Sequence, residues 1–227
     1  DVCSSDLLYA KWTGKAVNYT VVYLKEVYDN SAGATHFDYD SSITRTGTVG
    51  STVEANSVPG INPGAGYEVD AAMNANSSVE IAADGSSVLK VYYKLKRYTF
   101  IFKLNRTDGR ILMNGVEYSG SNYRISNVVL GQDGSSLWPC DASEVYTTGG
   151  SYDFDSWDHP VHTYHYKSRR FEVTADMIEG ANTANQVEVV GQWSRNMVLR
   201  YVEYWLQSAE NPSQYVKSDR YSQSFHM

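Results

Sequence analysis

The chain has 227 residues, a formal net charge of −7 and 42% hydrophobic residues, which is enough apolar material for one large or two ordinary domains. The acidic balance argues against nucleic acid or an anionic membrane as partner, since both need a basic surface. No apolar run approaches the length that spans a membrane.

Strand signals dominate the chain. Four segments rich in Tyr, Val, Phe and Ile mostly alternate with period two, which predicts half-buried strands. They are residues 19–24, 88–95, 98–104 and 201–206. The aromatic content is skewed, with 19 Tyr against 6 Phe. A ring that packs while its hydroxyl stays in water suits thin sheets with one exposed face.

Helix signals are few. Thr174–Glu179 is the best candidate, because Thr174 can cap the N-terminus and Asp176 favours the first turn. Ser126–Gly131 is a second, short candidate. The sequence therefore predicts a β-rich α+β protein with one or two short helices.

One pattern occurs twice with the same spacing. Trp12, which ends the segment Leu8–Trp12, is followed nine residues later by Val21 inside a strand signal. Trp193, which ends Val190–Trp193, is likewise followed nine residues later by Val202. The two copies lie 181 residues apart, and a third related strand signal begins at Tyr98. Arrays of this kind are usually extended proteins rather than enzymes.

The repeats divide the chain into modules. We expect four parts: the C-terminal tail of a preceding repeat at 1–13, module A at 14–96, module B at 97–194 with an insertion at 141–168, and the start of the next module at 195–227. Only Leu95-Lys96-Arg97 connects the last strand signal of module A with the first of module B. Flexible tethers are long and rich in Gly and Ser. This short and bulky connector predicts modules held stiffly head to tail.

Several segments resemble known families of bacterial surface modules. Leu8-Tyr9-Ala10-Lys11-Trp12 resembles the closing strand of the internalin-type B repeat (Listeria–Bacteroides repeat), and Gly191-Gln192-Trp193 is a weaker copy. The stretch Asp84–Tyr93 resembles the end of mucin-binding-protein-type modules. Module B contains three segments, in order, that are similar to modules of large gut-bacterial surface proteins: 131–139, 154–157 and 170–177.

The resemblance implies tandem β-grasp (ubiquitin-like) modules, arranged head to tail, in a secreted and cell-wall-attached protein of a Gram-positive bacterium. In that fold the first and last strands pair in parallel at the centre of the sheet. Parallel neighbours start at the same end, so the chain enters each module at one pole and leaves at the other. Joined by short connectors, such modules build a stalk. We therefore expect a non-catalytic stalk or adhesion segment that contacts neighbouring repeats of its own chain.

The alternative function is recognition of a host ligand by module B, such as a mucin glycan, an immunoglobulin or a matrix protein. Its candidate residues are the side chains in or near the insertion: Trp138, Tyr152, Trp157, His162, Tyr164 and Tyr166. Tyr and Trp give a large contact area at low entropy cost. For Trp138 and Trp157 the competing interpretation is a core role, since Trp is usually highly buried.

Signals for chemistry are weak. His159, His162 and His165 could gather around a metal if the segment curled, but on a strand His162 faces away from the other two, so an ordinary surface loop is favoured. Nucleophile elbows, phosphate loops and dinucleotide fingerprints are absent, so we expect no enzyme and no cofactor. Cys3 and Cys140 are the only cysteines; two unpaired thiols are favoured over a disulfide between them.

Overall fold

The computed structural model describes residues 14–159, 161, 165–166, 172–196 and 199–226. Strand makes up 49% of it and helix 6%. The β-rich class predicted from the alternating segments is therefore confirmed. The predicted tail of a preceding repeat, residues 1–13, lies outside the described residues.

The described residues form a long series of strands and two short helices. The strands are β1 (Ala16–Asp29), β2 (Ala34–Thr48), β3 (Thr52–Glu54), β4 (Tyr67–Val69), β5 (Ser78–Glu80), β6 (Val88–Leu95), β7 (Tyr98–Lys103), β8 (Gly109–Met113), β9 (Val116–Tyr118), β10 (Arg124–Val128), β11 (Val145–Thr147), β12 (Tyr152–Asp158), β13 (His165–Tyr166), β14 (Gln186–Arg195), β15 (Leu199–Val202), β16 (Trp205–Gln207), β17 (Tyr215–Lys217) and β18 (Gln223–His226). The helices are α1 (Ala71–Ala75) and α2 (Ala175–Ile178), and Ala55–Ser57 form a 3₁₀ turn.

The strands form two larger sheets and several small ones. The larger sheets have the strand orders β2-β1-β6-β4 and β10-β7-β14-β12-β13. A three-stranded sheet has the order β11-β8-β9, and the pairs β15-β18, β16-β17 and β3-β5 stand apart. No helix among the described residues is long and apolar enough to cross a membrane.

The chain divides into two compact units. Unit 1 consists of Asp1–Phe100, Ile125–Ser136 and Arg170–Val187, and unit 2 of Ile101–Arg124, Leu137–Arg169 and Glu188–Met227. Each predicted module is one continuous stretch of sequence, whereas each unit combines three stretches. The predicted module boundaries therefore stay predictions.

The core of unit 1 lies on one face of the sheet around β1 and β6. These strands run parallel, with Thr20 beside Val88 and Lys25 beside Tyr93. The buried side chains alternate along both strands as the sequence predicts; they are Tyr19, Val21, Tyr23, Leu89, Val91 and Tyr93, with Ile81 and Ala55 packed against them. Each such large side chain stabilises the fold by about 1.5–3 kcal/mol.

The tyrosines of this core are tied to a loop by their hydroxyls. The Tyr23 hydroxyl donates to the carbonyl of Pro59 at 3.1 Å. The Tyr93 hydroxyl accepts from the Ile61 amide at 2.9 Å and donates to the Ile61 carbonyl at 3.2 Å. Burial raises the pKa of Tyr93. The ring packs as expected, but its polar end contacts backbone rather than only water.

Helix α1 is not predicted from the sequence, because it has only five residues. Asp70 caps it, since its carboxylate accepts from the amides of Ala72 and Met73 at 3.1 and 3.0 Å. The helix carries Asn74, which is 2% exposed. The Asn74 amide donates to the Tyr92 carbonyl at 3.1 Å and accepts from the Tyr92 amide at 2.8 Å. The side chain of Asn74 therefore makes the hydrogen bonds to β6 that the backbone of a neighbouring strand would otherwise make.

Unit 2 has an aromatic core centred on Phe102. The ring of Phe102 meets Trp138 edge to face at 4.7 Å and Trp157 at 5.0 Å between centroids. Tyr123 lies 5.3 Å from the same ring. Gly191 fits beside Trp157, because a Cβ at this position would lie 3.1 Å from the indole. Edge-to-face contacts of this kind add about 0.5–1.5 kcal/mol beyond burial.

The two helices predicted from the sequence have different outcomes. The helix predicted at Thr174–Glu179 is confirmed as the four-residue α2, but the side chain of Thr174 makes no capping hydrogen bond. The helix predicted at Ser126–Gly131 is wrong, because strand β10 extends to Val128. Buried Ile125, Val128 and Val129 have helical spacing, yet Asn127 has a positive φ of 61°, which shifts the alternation of the strand.

The strand predicted at residues 201–206 is interrupted. Strand β15 ends at Val202 and β16 begins at Trp205, with Glu203 and Tyr204 between them. Each strand joins a different two-stranded sheet.

Candidate functional site

The two predicted site tryptophans lie in the core of unit 2. Trp138 is 1% exposed and Trp157 is 0% exposed. The Trp157 indole N–H donates to the Pro139 carbonyl at 2.5 Å, so its polar atom is satisfied inside the protein. Neither indole reaches the surface in this conformation, and both anchor the aromatic core around Phe102. The core interpretation of these two residues therefore accounts for their position.

Tyr152 is the predicted site residue whose described side chain reaches the surface. It opens β12, which pairs antiparallel with β14, and its ring is half-buried. The Arg106 guanidinium stacks over this ring at 3.7 Å from the centroid. Exposed cation–π contacts of this kind contribute about 0.5–1 kcal/mol. Arg106 therefore holds the ring of Tyr152 at the surface and fixes its orientation.

Arg106 is itself held by a carboxylate. Its Nε and Nη2 atoms donate to the two oxygens of Asp108 at 2.9 and 3.0 Å, the bidentate geometry that suits a guanidinium. The hydrogen bond to Asp108 raises the pKa of Arg106, and the same bond lowers the pKa of Asp108. The Asp108 carbonyl accepts from the Thr148 amide at 3.0 Å, which fixes the turn that carries the pair.

A second charged group lies on the small sheet of unit 2. Tyr146 on β11 stands opposite Arg110 on β8. The Tyr146 hydroxyl donates to Glu117 at 2.6 Å, and Arg110 Nε lies 3.4 Å from the same carboxylate. The hydrogen bond to Glu117 raises the pKa of Tyr146. These three side chains form a polar row on the outer face of the sheet.

A shallow cavity of about 140 Å³ lies beside Tyr152 in unit 2. Its lining consists of three aromatic side chains, one carboxylate and small residues: Tyr146, Tyr152, Phe154, Asp153, Ala142, Val145, Thr147 and Gly150. The side chain of Asp153 is exposed, and its carboxylate makes no ion pair or hydrogen bond to any described residue. Ligand pockets for whole small molecules are usually about 300–1,000 Å³. This cavity has the size for one ring or one side chain of a larger partner.

The remaining predicted residues add little to this surface. Tyr166 lies in β13, whose backbone pairs with Trp157 of β12, and its side chain is not described. His162 and Tyr164 lie outside the described residues. The candidate surface is therefore defined by Tyr152 together with neighbours that the sequence did not single out.

The histidine segment does not form an exposed loop throughout. His159 is 5% exposed, and its Nδ1 atom accepts from the Val161 amide at 3.2 Å. His165 pairs with Asp158 across β12 and β13. Within the described ranges no three His, Cys, Asp or Glu side chains are grouped as metal ligands.

The prediction that Cys3 and Cys140 are unpaired falls partly outside the described residues, because Cys3 is among the first 13. Cys140 is partly buried in unit 2. Its Sγ lies 3.7 Å from a carboxylate oxygen of Asp141, and its amide donates to Glu144 at 3.1 Å.

A second cavity, in unit 1, was not predicted. It measures about 660 Å³ and is formed by three distant stretches of the chain: residues 65–66, 96–98 and 175–185. Lys96 and Asp176 bring opposite charges to its wall, while Tyr98 and Ile178 supply apolar surface. Sequence reasoning missed it because no local motif marks a cavity that only the tertiary fold assembles.

Neither a protein-family model nor a curated protein sequence matches the chain.

Proposed function

We propose that the chain is a non-catalytic repeat segment of a bacterial cell-surface protein, which acts as a stalk and adhesion module and consists of tandem β-grasp modules. The observation that carries this proposal is a strand order that occurs twice. The order β2-β1-β6-β4 in residues of module A corresponds to β10-β7-β14-β12 in residues of module B. In both sheets the first strand of the module lies next to its last.

The same backbone contact marks the start of this pairing in each module. The Thr20 amide donates to the Ser87 carbonyl at 3.0 Å, just before β6 begins. The Thr99 amide donates to the Asn185 carbonyl at 3.0 Å, just before β14 begins.

Further along β14, the Trp193 indole donates to the Leu104 carbonyl at 2.7 Å. Residue numbers therefore rise in the same direction along β7 and β14, as they do along β1 and β6. This supports parallel pairing in both sheets.

Parallel first and last strands suit a stalk. They start at the same end of a sheet, so the chain enters at one end and leaves at the other. A pull on the chain loads all the hydrogen bonds between the two strands at once. Spacing modules in extended repeat proteins need this property more than they need a cavity.

The connector between the predicted modules is fixed within unit 1. The Leu95 amide donates to the Glu26 carboxylate at 2.8 Å, and the Arg97 guanidinium lies 3.8 Å from its other oxygen. The Lys96 amide donates to the Gly66 carbonyl at 2.8 Å. Only 12% of the Glu26 side chain is exposed. These contacts support a stiff junction, as the short connector predicts.

The charged groups near Tyr152 suit contact better than proton transfer. The resolved pKa shifts move Asp108 down and Arg106 and Tyr146 up, away from neutral pH in every case. General acids and bases work best with a pKa near the operating pH. This supports a non-catalytic role for this surface. We place that role in a protein that is secreted, attached to the cell wall and without a cofactor.

A second candidate function is host-ligand binding through this surface. It is favoured by Tyr152, which is held by Arg106 beside a cavity that also presents the exposed carboxylate of Asp153. Oriented aromatic and arginine side chains are typical of binding hot spots. The ligand would be a mucin glycan, an immunoglobulin or another host surface protein.

Binding to immobilised host mucins, immunoglobulins and matrix proteins tests the adhesive part of this proposal. The full chain is compared with Tyr152→Ala and with the control Tyr39→Ala, which removes a 65% exposed tyrosine of unit 1. Saturable binding that Tyr152→Ala weakens at least about tenfold, and Tyr39→Ala does not, assigns adhesion to this surface. Binding that both variants preserve contradicts that assignment. No binding across the panel removes adhesion from the proposal and leaves the stalk.

A further inference from the structure

The cavity of about 660 Å³ in unit 1 is built from three stretches of chain that backbone hydrogen bonds hold together. The Lys96 amide donates to the Gly66 carbonyl at 2.8 Å, and the Thr99 amide donates to the Asn185 carbonyl at 3.0 Å. These two bonds tie the stretch around residues 96–98 to both of the others. The volume lies within the range of about 300–1,000 Å³ that is usual for small-molecule sites. The walls of the cavity are therefore in place without a ligand.

Tyr98 lines this cavity, and its hydroxyl has no partner in the fold. The residue is only 4% exposed, and the hydroxyl makes no hydrogen bond to any residue that the structure describes. A buried polar group without a partner is costly, so we expect a group from outside the chain to contact it. Burial raises the pKa of Tyr98, so the hydroxyl stays protonated at neutral pH and can donate.

Lys96 brings a cation to the same wall. Its side chain lines the cavity together with that of Tyr98, whereas the guanidinium of Arg97 between them lies 3.8 Å from Glu26. Lys96 is half-buried, and its ammonium group forms no ion pair with the described part of the chain. An ammonium group and a hydroxyl that both donate suit the two oxygens of a carboxylate.

Asp176 brings the opposite charge to the cavity. It lies on α2, and its exposed carboxylate forms no ion pair with Lys96 or with any other described cation. The two charges are therefore separated, and both are available to a ligand. Small apolar surface completes the lining, from Ala65, Ala175, Ala181 and Ile178. A ligand that is only anionic would be repelled by Asp176 and by the chain's net charge of −7, whereas a ligand with both charges is not.

We propose that this cavity binds a small zwitterion of the α-amino acid or short-peptide class. The ligand's carboxylate accepts from the Lys96 ammonium group and the Tyr98 hydroxyl, and its own ammonium group faces the carboxylate of Asp176. The alanines of the wall favour methyl-sized side chains on the ligand. Residues 65–66 and 96 belong to predicted module A, and residues 98 and 175–185 to predicted module B. A bound ligand therefore bridges both stretches and stabilises unit 1.

Isothermal titration calorimetry of the full chain with L-alanine, dialanine and trialanine tests this site. The three probes place their two charges at increasing separations. We expect at least one of them to bind with a Kd of about 1 mM or below. The C-terminal amide of that probe lacks the carboxylate, and its N-acetyl form lacks the ammonium group. Each should bind at least about tenfold more weakly, because it loses one charged contact.

Variants of the cavity wall assign the binding to these residues. Lys96→Met and Tyr98→Phe each remove one donor and should weaken binding at least about fivefold. Neither donor has a partner in the fold, so urea unfolding of both variants should match that of the parent chain. Lys90→Met is the matched control, because Lys90 also forms no ion pair with the described residues and lies outside the cavity. It should leave the Kd within about twofold. Asp176→Asn should reduce the advantage of the free amine over its N-acetyl form.

Three results would overturn the proposal. The first is no binding of any of the three zwitterions at about 10 mM. The second is an amide that binds as tightly as the free acid. The third is binding that Lys96→Met and Tyr98→Phe both leave unchanged. The outcome is independent of the host-ligand panel, which tests the surface around Tyr152 in unit 2.

Discussion

The side-chain amide of Asn30 holds the backbone at Asp133, 103 residues further along the chain. Its oxygen accepts from the Asp133 amide at 2.7 Å, and its nitrogen donates to the Gly131 carbonyl at 2.8 Å. Asn30 follows β1 in predicted module A, whereas Gly131 and Asp133 belong to predicted module B, and all three lie in unit 1. One amide therefore ties together parts of the chain that the sequence assigns to different modules.

Replacing Asn30 should release this tie. In Asn30→Ala the Asp133 amide loses its acceptor, and an exposed hydrogen bond contributes about 0.5–1.5 kcal/mol, so we expect its hydrogen exchange to accelerate by roughly tenfold. Residue-resolved exchange by NMR measures this directly. Asn122→Ala is the matched control, because Asn122 is an exposed asparagine for which the structure gives no side-chain hydrogen bond. Unchanged exchange at Asp133 in Asn30→Ala would mean that water replaces the amide at no cost.

Gly66 and Gly64 separate backbone strain from packing. Both have a left-handed backbone, with φ of +84° and +89°, so alanine at either position costs about 1–3 kcal/mol. A Cβ on Gly66 would also lie 3.0 Å from Leu130 and 3.1 Å from Ile178, whereas a Cβ on Gly64 meets nothing within 4 Å.

Overpacking typically costs a further 1–3 kcal/mol or so. Urea unfolding should therefore show Gly66→Ala as the more destabilised variant. Equal losses for the two variants would contradict the contact of Gly66 with Leu130 and Ile178.

Replacement by alanine should destabilise the protein far more at Trp157 than at Tyr152. Trp157→Ala empties part of a buried aromatic core and should cost about 3–5 kcal/mol. Tyr152→Ala removes a surface ring stacked on Arg106 and should cost about 1 kcal/mol or less. Thermal or urea unfolding of both variants measures the difference. A mild effect of Trp157→Ala would place its indole outside the core and restore it as a ligand contact.

Tyr123 makes the fold sensitive to alkaline pH. Burial raises the pKa of Tyr123 to about 12, from an ordinary value near 10, and its hydroxyl donates to the Leu137 carbonyl. The neutral form is favoured in the folded protein, so this contribution is fully present below about pH 10 and is lost as the pH rises through about 12. The loss is on the order of 2–3 kcal/mol.

An alkaline titration followed by tyrosinate absorbance checks this assignment. We expect a late ionisation step near pH 12 that Tyr123→Phe removes. If the step persists in that variant, another tyrosine carries it, and Tyr123 is more accessible than the structure indicates.

The sequence predicted the regular part of this fold better than the contacts that join it. Alternation located β6 because its side chains are buried and exposed in turn, and this pattern is local. The apolar run of β7 located that strand, although Phe100, Ile101 and Phe102 are all buried. The amides of Asn74 and Asn30 could not be predicted, since they bond residues 18 and 101 positions away. The aromatic residues of module B were hardest to place, because Trp138, Trp157 and Tyr152 carry similar local signals. Only packing against Phe102 separates the two buried tryptophans from the half-buried ring of Tyr152.

Force spectroscopy on the single chain, pulled from its two ends, tests the central claim most directly. Paired parallel first and last strands load their hydrogen bonds together, so a stalk should unfold in two abrupt high-force events. The events should release about 290 Å and about 340 Å of chain, the extended lengths of residues 14–96 and 97–194. Gradual extension at low force, or one event without these lengths, would contradict a stalk built from two mechanically resistant modules.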